Sequence, residues 1–79
     1  MPEVTIRYFA AARAAAGRST ATAEATSIRD LVSTVSTDSP ELARVLGICT
    51  FLLDGQRADP TTPLHAGAQV DALPPFAGG

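Results

Sequence analysis

A chain of 79 residues with a 46% hydrophobic composition has room for one domain around a small aliphatic core. A single cysteine, Cys49, excludes an internal disulfide, and one Cys with one His, His65, cannot furnish a four-ligand zinc site. The net charge of −2 argues against nucleic acid, whose binders carry a basic stripe.

The six basic residues are all arginines: Arg7, Arg13, Arg18, Arg29, Arg44 and Arg57. There is no lysine, so no side-chain amine is present to attack an activated carboxyl group. No apolar run approaches the ~20 residues that span a bilayer. Met1-Pro2-Glu3 has neither a basic nor an apolar leader region, so no secretory signal is expected. A reduced, unpaired cysteine suits a cytoplasmic location.

In chain order, Val4, Ile6 and Tyr8 alternate with Thr5, Arg7 and Phe9, which predicts a strand. Ala10 to Ala16 is alanine-rich and closed by Gly17, which predicts a short helical turn. Ser19 to Ala25 alternates Thr20, Thr22 and Glu24 with alanines, a weaker strand expected to pair with the first. Ser27 is a candidate N-cap with Asp30 at N3, where a carboxylate favours a helix start. Ile28, Leu31, Val32 and Val35 then form one apolar stripe of an amphipathic helix.

Ser39-Pro40 restarts helical signals, with Leu42, Val45 and Leu46 apolar before Gly47. The apolar run Ile48 to Leu53 predicts a buried strand, and Asp54-Gly55 a tight turn after it. A short strand is expected at Gln56 to Ala58, a loop from Pro60 to Gly67, and a last strand from Gln69 to Leu73. The order predicts an α+β fold: one main helix packed on a mixed sheet of four to five strands, as a single domain over 1–79.

The end, Leu73-Pro74-Pro75-Phe76-Ala77-Gly78-Gly79, suggests chemistry. Pro74-Pro75 fixes φ and stiffens the chain as it leaves the sheet. A flexible tail is expected over 74–79. Phe76 offers an anchor, and Ala77 and Gly78 leave backbone slim enough for a narrow channel. The carboxylate of Gly79 is a poor electrophile until it is joined to AMP, after which sulfur or an amine can attack an unhindered carbonyl. A frayed, inert terminus is the competing explanation.

The stretch from Val70 to Gly79 resembles the C-terminus of the molybdopterin synthase small subunit, the MoaD family within the MoaD/ThiS ubiquitin-like sulfur carriers. Val4-Thr5-Ile6-Arg7-Tyr8-Phe9-Ala10, followed by Arg13 and Gly17, is similar to that family's first strand and turn. The resemblance implies a ubiquitin-like β-grasp fold in which the first and last strands are parallel neighbours. It implies no bound cofactor: an E1-like enzyme would spend ATP to adenylate Gly79 and convert it to a thiocarboxylate. The tail would then enter the large subunit of a heterotetrameric molybdopterin synthase and give sulfur to precursor Z. Acid–base residues would lie on the partners.

Two further expectations concern docking. With Val4, Ile6, Tyr8, Val70 and Ala72 turned to the core, Phe9 and Leu73 fall on the other face, near the tail's exit. With Pro75 they form a candidate partner surface, unless Phe9 only covers the alanine-rich turn. Arg57 is either a contact for an acidic group on the activating enzyme or a solvated surface residue. Cys49 is expected as a small core hydrophobe, with a persulfide as the alternative, and His65 as a surface residue. Carriers for thiamine or cysteine synthesis and a ubiquitin-like modifier joined to target lysines are the alternative functions.

Overall fold

The alternation from Val4 to Tyr8 becomes strand β1 (Glu3–Tyr8), which buries Val4, Ile6 and Tyr8 on one face. The computed structural model describes residues 1–75. Helix α1 (Ala11–Ala16) comes next and ends at Gly17, whose φ of 74° lets its N–H reach Arg13 O. Strand β2 (Thr20–Glu24) runs antiparallel to β1 in the expected hairpin.

Helix α2 (Ile28–Val35) satisfies every donor of its first turn. Ser27 Oγ accepts from Asp30 N, while Ile28 N and Arg29 N donate to Thr62 O and Pro60 O. The proline-rich loop is therefore fastened to the start of this helix. Asp30 Oδ2 in turn accepts from Thr26 N at 2.9 Å. Ile28 and Leu31 are buried, with Val32 and Val35 packed at the core's margin. Helix α3 (Pro40–Leu46) begins at the N-cap Ser39 and buries Leu42 and Leu46. The main helix expected is thus α2, and the helical turn expected after Ala10 and the helical signals from Ser39 become the shorter α1 and α3.

Strand β3 (Thr50–Leu53) starts two residues later than the apolar run predicted. Ile48 N and Cys49 N donate to Val45 O and Leu46 O, closing the last turn of α3. Those carbonyls need donors, and the two residues supply them instead of joining the sheet. Ile48 is consequently 63% exposed. Cys49 opens no strand but packs half-buried against the core, its thiol donating to Val45 O.

The Asp54-Gly55 turn leads to β4 (Gln56–Ala58), with φ of 49° and 87° at its two central residues. Positive φ at both positions is the geometry that matches the strands' twist in a two-residue hairpin. Strand β5 (Gln69–Leu73) returns through the middle. The sheet order is β2-β1-β5-β3-β4, with β1 and β5 parallel and the other pairs antiparallel. The buried core lies on the face covered by the helices, where Phe51, Val70 and Ala72 join the β1 residues. Among the described residues no helix is long and apolar enough to cross a membrane.

One ion pair was invisible in the linear order. Asp54 Oδ2 lies 2.6 Å from His65 Nε2, and Asp54 Oδ1 accepts from Gln69 N. The backbone hydrogen bond from Gln69 and then the His65 contact lower the Asp54 pKa. Asp54, followed by the Ala66 carbonyl at Nδ1, raises that of His65. His65 sits on the surface as expected, though not alone.

Two outcomes are expected from these features. The raised His65 pKa means that its contribution to stability is complete below its ordinary 6.5 and lost as pH rises through the folded value. The lowered Asp54 pKa means that its contribution is complete above 3.8 and lost as pH falls through the folded value. Following the His65 imidazole by NMR should give a midpoint above 6.5, and Asp54→Asn should bring it back toward 6.5. Separately, Ala10 holds φ 51° and ψ −124°, a conformation that L-residues rarely adopt. Replacing it by glycine should stabilise the domain by about 1 kcal/mol, read as a rise of a few degrees in Tm.

Candidate functional site

The chain reaches Pro74 along β5, which is hydrogen-bonded on both sides. Phe9 N extends the parallel ladder by donating to Ala72 O at 3.3 Å. On the other side Thr50 is paired with Leu73. The exit of the last strand is therefore held in the middle of the sheet. Pro74 is buried and Pro75 exposed. Phe76, Ala77, Gly78 and Gly79, the expected anchor, channel residues and reactive terminus, lie outside the described residues.

Parity distributes the outward residues as anticipated. Tyr8 pairs with Ala72, so the next step of the register sets Phe9 beside Leu73 on the face the helices leave open. Both are half-buried. Arg57 is exposed on the edge strand β4, two strands from β5, and so stands farther from the exit than its place in the sequence suggested. The registers nevertheless line up Arg7, Asp71, Leu52 and Arg57 as one row across the outer face.

The centre of that row is a contact sequence reasoning missed. Arg7 Nε donates to Asp71 Oδ1 at 2.7 Å and Arg7 Nη2 to Asp71 Oδ2 at 3.1 Å, a two-pronged pair. With its amide oxygen turned toward Arg7, Gln69 accepts from Nη2 at 3.2 Å. The guanidinium carbon also lies 5.5 Å from the centre of the Phe9 ring. Phe9 thus lies against Arg7, with Leu73 at the neighbouring register position. The outward parity of Arg7 and Asp71 on parallel neighbouring strands was the available signal.

The remaining groups offer little nucleophilic or acid–base power. Burial pushes the Cys49 thiol up to about 11, so it stays protonated at neutral pH and is a poor candidate for a persulfide. Burial also raises the Tyr8 phenol. A cleft of about 340 Å³ between α1, β2 and α2 is lined by Tyr8, Ala15, Ala21, Val35 and Leu42 among others, with no carboxylate, thiol or imidazole. Among the described residues no three His, Cys, Asp or Glu side chains group to hold a metal.

Solved structures reproduce this architecture. A putative molybdopterin converting factor subunit 1 from Pyrococcus furiosus is 20% identical with a TM-score of 0.82, over 96% of this chain and 100% of that one. Small archaeal modifier protein 1 (SAMP1) from Methanosarcina acetivorans is 24% identical with a TM-score of 0.88, over 100% and 98%. A complex of subunits 1 and 2 of the molybdopterin-converting factor from Helicobacter pylori contains a chain 26% identical with a TM-score of 0.72, over 98% and 99%. The fold is the ubiquitin-like β-grasp. No curated protein matches the sequence. The ThiS family pattern matches residues 6–79, from the middle of β1 to the paired glycines, and on that match the chain belongs to the ThiS family.

Proposed function

We propose that this protein is a sulfur carrier of molybdopterin biosynthesis, the small subunit of a molybdopterin synthase, with Gly79 as the carrier group. The observation that supports this best is the family match running to residue 79 on a fold whose central strand leads to that end. In the proposed cycle a Gly79 carboxylate oxygen attacks the α-phosphorus of ATP on an E1-like enzyme and pyrophosphate leaves. Hydrosulfide delivered by a sulfur donor then attacks the acyl carbon and displaces AMP, leaving a thiocarboxylate. Gly78 and Ala77 would thread the partner's channel, with Phe76 at its mouth. The sulfur passes to precursor Z inside the large subunit, and the carrier returns as a carboxylate.

A large-subunit partner is supported by the Helicobacter pylori structure, a complex of subunits 1 and 2 of the molybdopterin-converting factor. The heterotetrameric assembly and the cytoplasmic setting belong to the same proposal. Phe9, Leu73 and Pro75 would meet the partner beside the tail, and Arg57 would meet an acidic group. A second reading, a ubiquitin-like modifier, is favoured by the likeness to the modifier SAMP1 at a TM-score of 0.88. Carriers of thiamine or cysteine synthesis would use the same group with other partners.

Incubation with ATP, a cognate activating enzyme and a sulfur donor, followed by intact-mass measurement, tests the proposal. One oxygen-to-sulfur exchange at the C-terminus is expected. Isopeptide adducts on other proteins would favour the modifier, and an unchanged mass would overturn both. Co-purification with a molybdopterin synthase large subunit assigns the pathway. Phe9→Asp should leave the circular dichroism spectrum folded, because Phe9 is half-buried outside the core, and weaken large-subunit binding at least about tenfold. Unchanged affinity would remove Phe9 from the interface.

A further inference from the structure

Tyr8 ends β1 on the core side of the sheet and is only 3% exposed. A phenol buried to that degree ordinarily finds a hydrogen-bond partner. Tyr8 Oη has none among the described residues, yet it is not sealed in, because no enclosed side-chain oxygen there lacks a partner. The hydroxyl therefore opens into the space that Tyr8 lines, the cleft of about 340 Å³ between α1, β2 and α2. That volume falls within the range of small-ligand pockets.

The cleft exists because its walls are short. Ala15 and Ala16 end α1, and Ala21 and Ala23 are paired with the core-facing Ile6 and Val4, so they share the helix side of the sheet. Side chains of one methyl group leave a gap that larger residues would fill. Val35 and Leu42 complete an apolar wall.

The charge of the lining has one sign. Arg18, exposed, is its only ionisable group besides the phenol. Among the described residues Arg18 has no ion-pair partner. Its charge is felt by the phenol: burial raises the Tyr8 pKa, and Arg18 opposes that rise. The phenol is protonated at neutral pH and has a proton to donate. Ser39 Oγ, on the same lining, accepts from Leu42 N and keeps its own proton to give.

We propose that this cleft binds a small organic carboxylate with a compact apolar body. The carboxylate accepts from Tyr8 Oη and pairs with the Arg18 guanidinium, while the body lies against the alanines, Val35 and Leu42. A cation would meet only the like charge of Arg18. A phosphate would turn its remaining oxygens onto methyl groups, losing water without replacement. Tyr8 and Phe9 lie on opposite faces of the sheet, so the site is independent of the surface proposed for partners and leaves it open.

Tyr8 is the one tyrosine, and there is no tryptophan, so the fluorescence of the intact chain reports this phenol alone. Titration with cyclohexanecarboxylate, which does not absorb where tyrosine does, should give a saturating change with a Kd of about 1 mM. Its neutral isostere cyclohexanecarboxamide, bare acetate and inorganic phosphate should each bind at least about tenfold more weakly. Amide NMR shifts should fall on the end of α1, on β2 and on the residues around Ser39. Arg18→Gln and Tyr8→Phe, each native by circular dichroism, should weaken binding about tenfold in the same NMR titration. No saturation by about 50 mM, a carboxamide that binds as tightly as the carboxylate, shifts confined to the open face of the sheet, or an affinity indifferent to either substitution each overturns the proposal.

Discussion

The parallel pairing of β1 with β5 organises the molecule. It joins the first strand to the last, 64 residues apart at the Arg7–Asp71 contact, in the middle of the sheet. Parallel neighbours cannot be joined by a hairpin, so the chain between them must cross over. Here the crossover contains β2, all three helices and the β3–β4 hairpin. It places every helix on one face and leaves the other open. Surface ion pairs usually contribute less than about 1 kcal/mol. The Arg7–Asp71 pair matters more for register: a one-residue slip would turn Val4, Ile6 and Tyr8 out of the core.

That constraint also bears on the proposed function. A strand at a sheet edge can fray, and the residues beyond its end are then poorly placed. β5 is bonded to β1 and β3 and still anchored by buried Pro74. A group carried beyond Pro75 therefore starts from a fixed point although glycine has no side chain of its own to hold it. Phe9, Arg7 and Leu73 lie around that point because strand parity puts them there.

The features legible from the residues themselves were local ones, whereas the parallel pairing of the first and last strands came from the family resemblance. Period-two alternation marked β1, the Ser27 cap and its apolar stripe marked α2, and Asp54-Gly55 marked the tight hairpin, because neighbouring residues alone determine each. Ile48-Cys49 misled because an apolar pair suits a strand, whereas the open carbonyls of α3 took its N–H groups. The Arg7–Asp71 and Asp54–His65 contacts depend on which strands become neighbours, and composition does not encode that. The paired glycines were legible as chemistry, but they lie outside the described residues.

What the chain lacks is informative about the proposed carrier. An acyl-adenylate is open to any nearby nucleophile, and the most damaging ones would belong to the carrier itself. There is no lysine. The lone thiol is held protonated by burial and bonded to Val45 O. The lone imidazole is engaged by Asp54. The side-chain amine, thiol and imidazole groups that could capture an activated Gly79 are thus absent or occupied, so the reactive terminus would be left to the enzymes that dock beside it. A carrier built this way gains specificity by chemical quietness: its own side chains position the strand and stay out of the reaction.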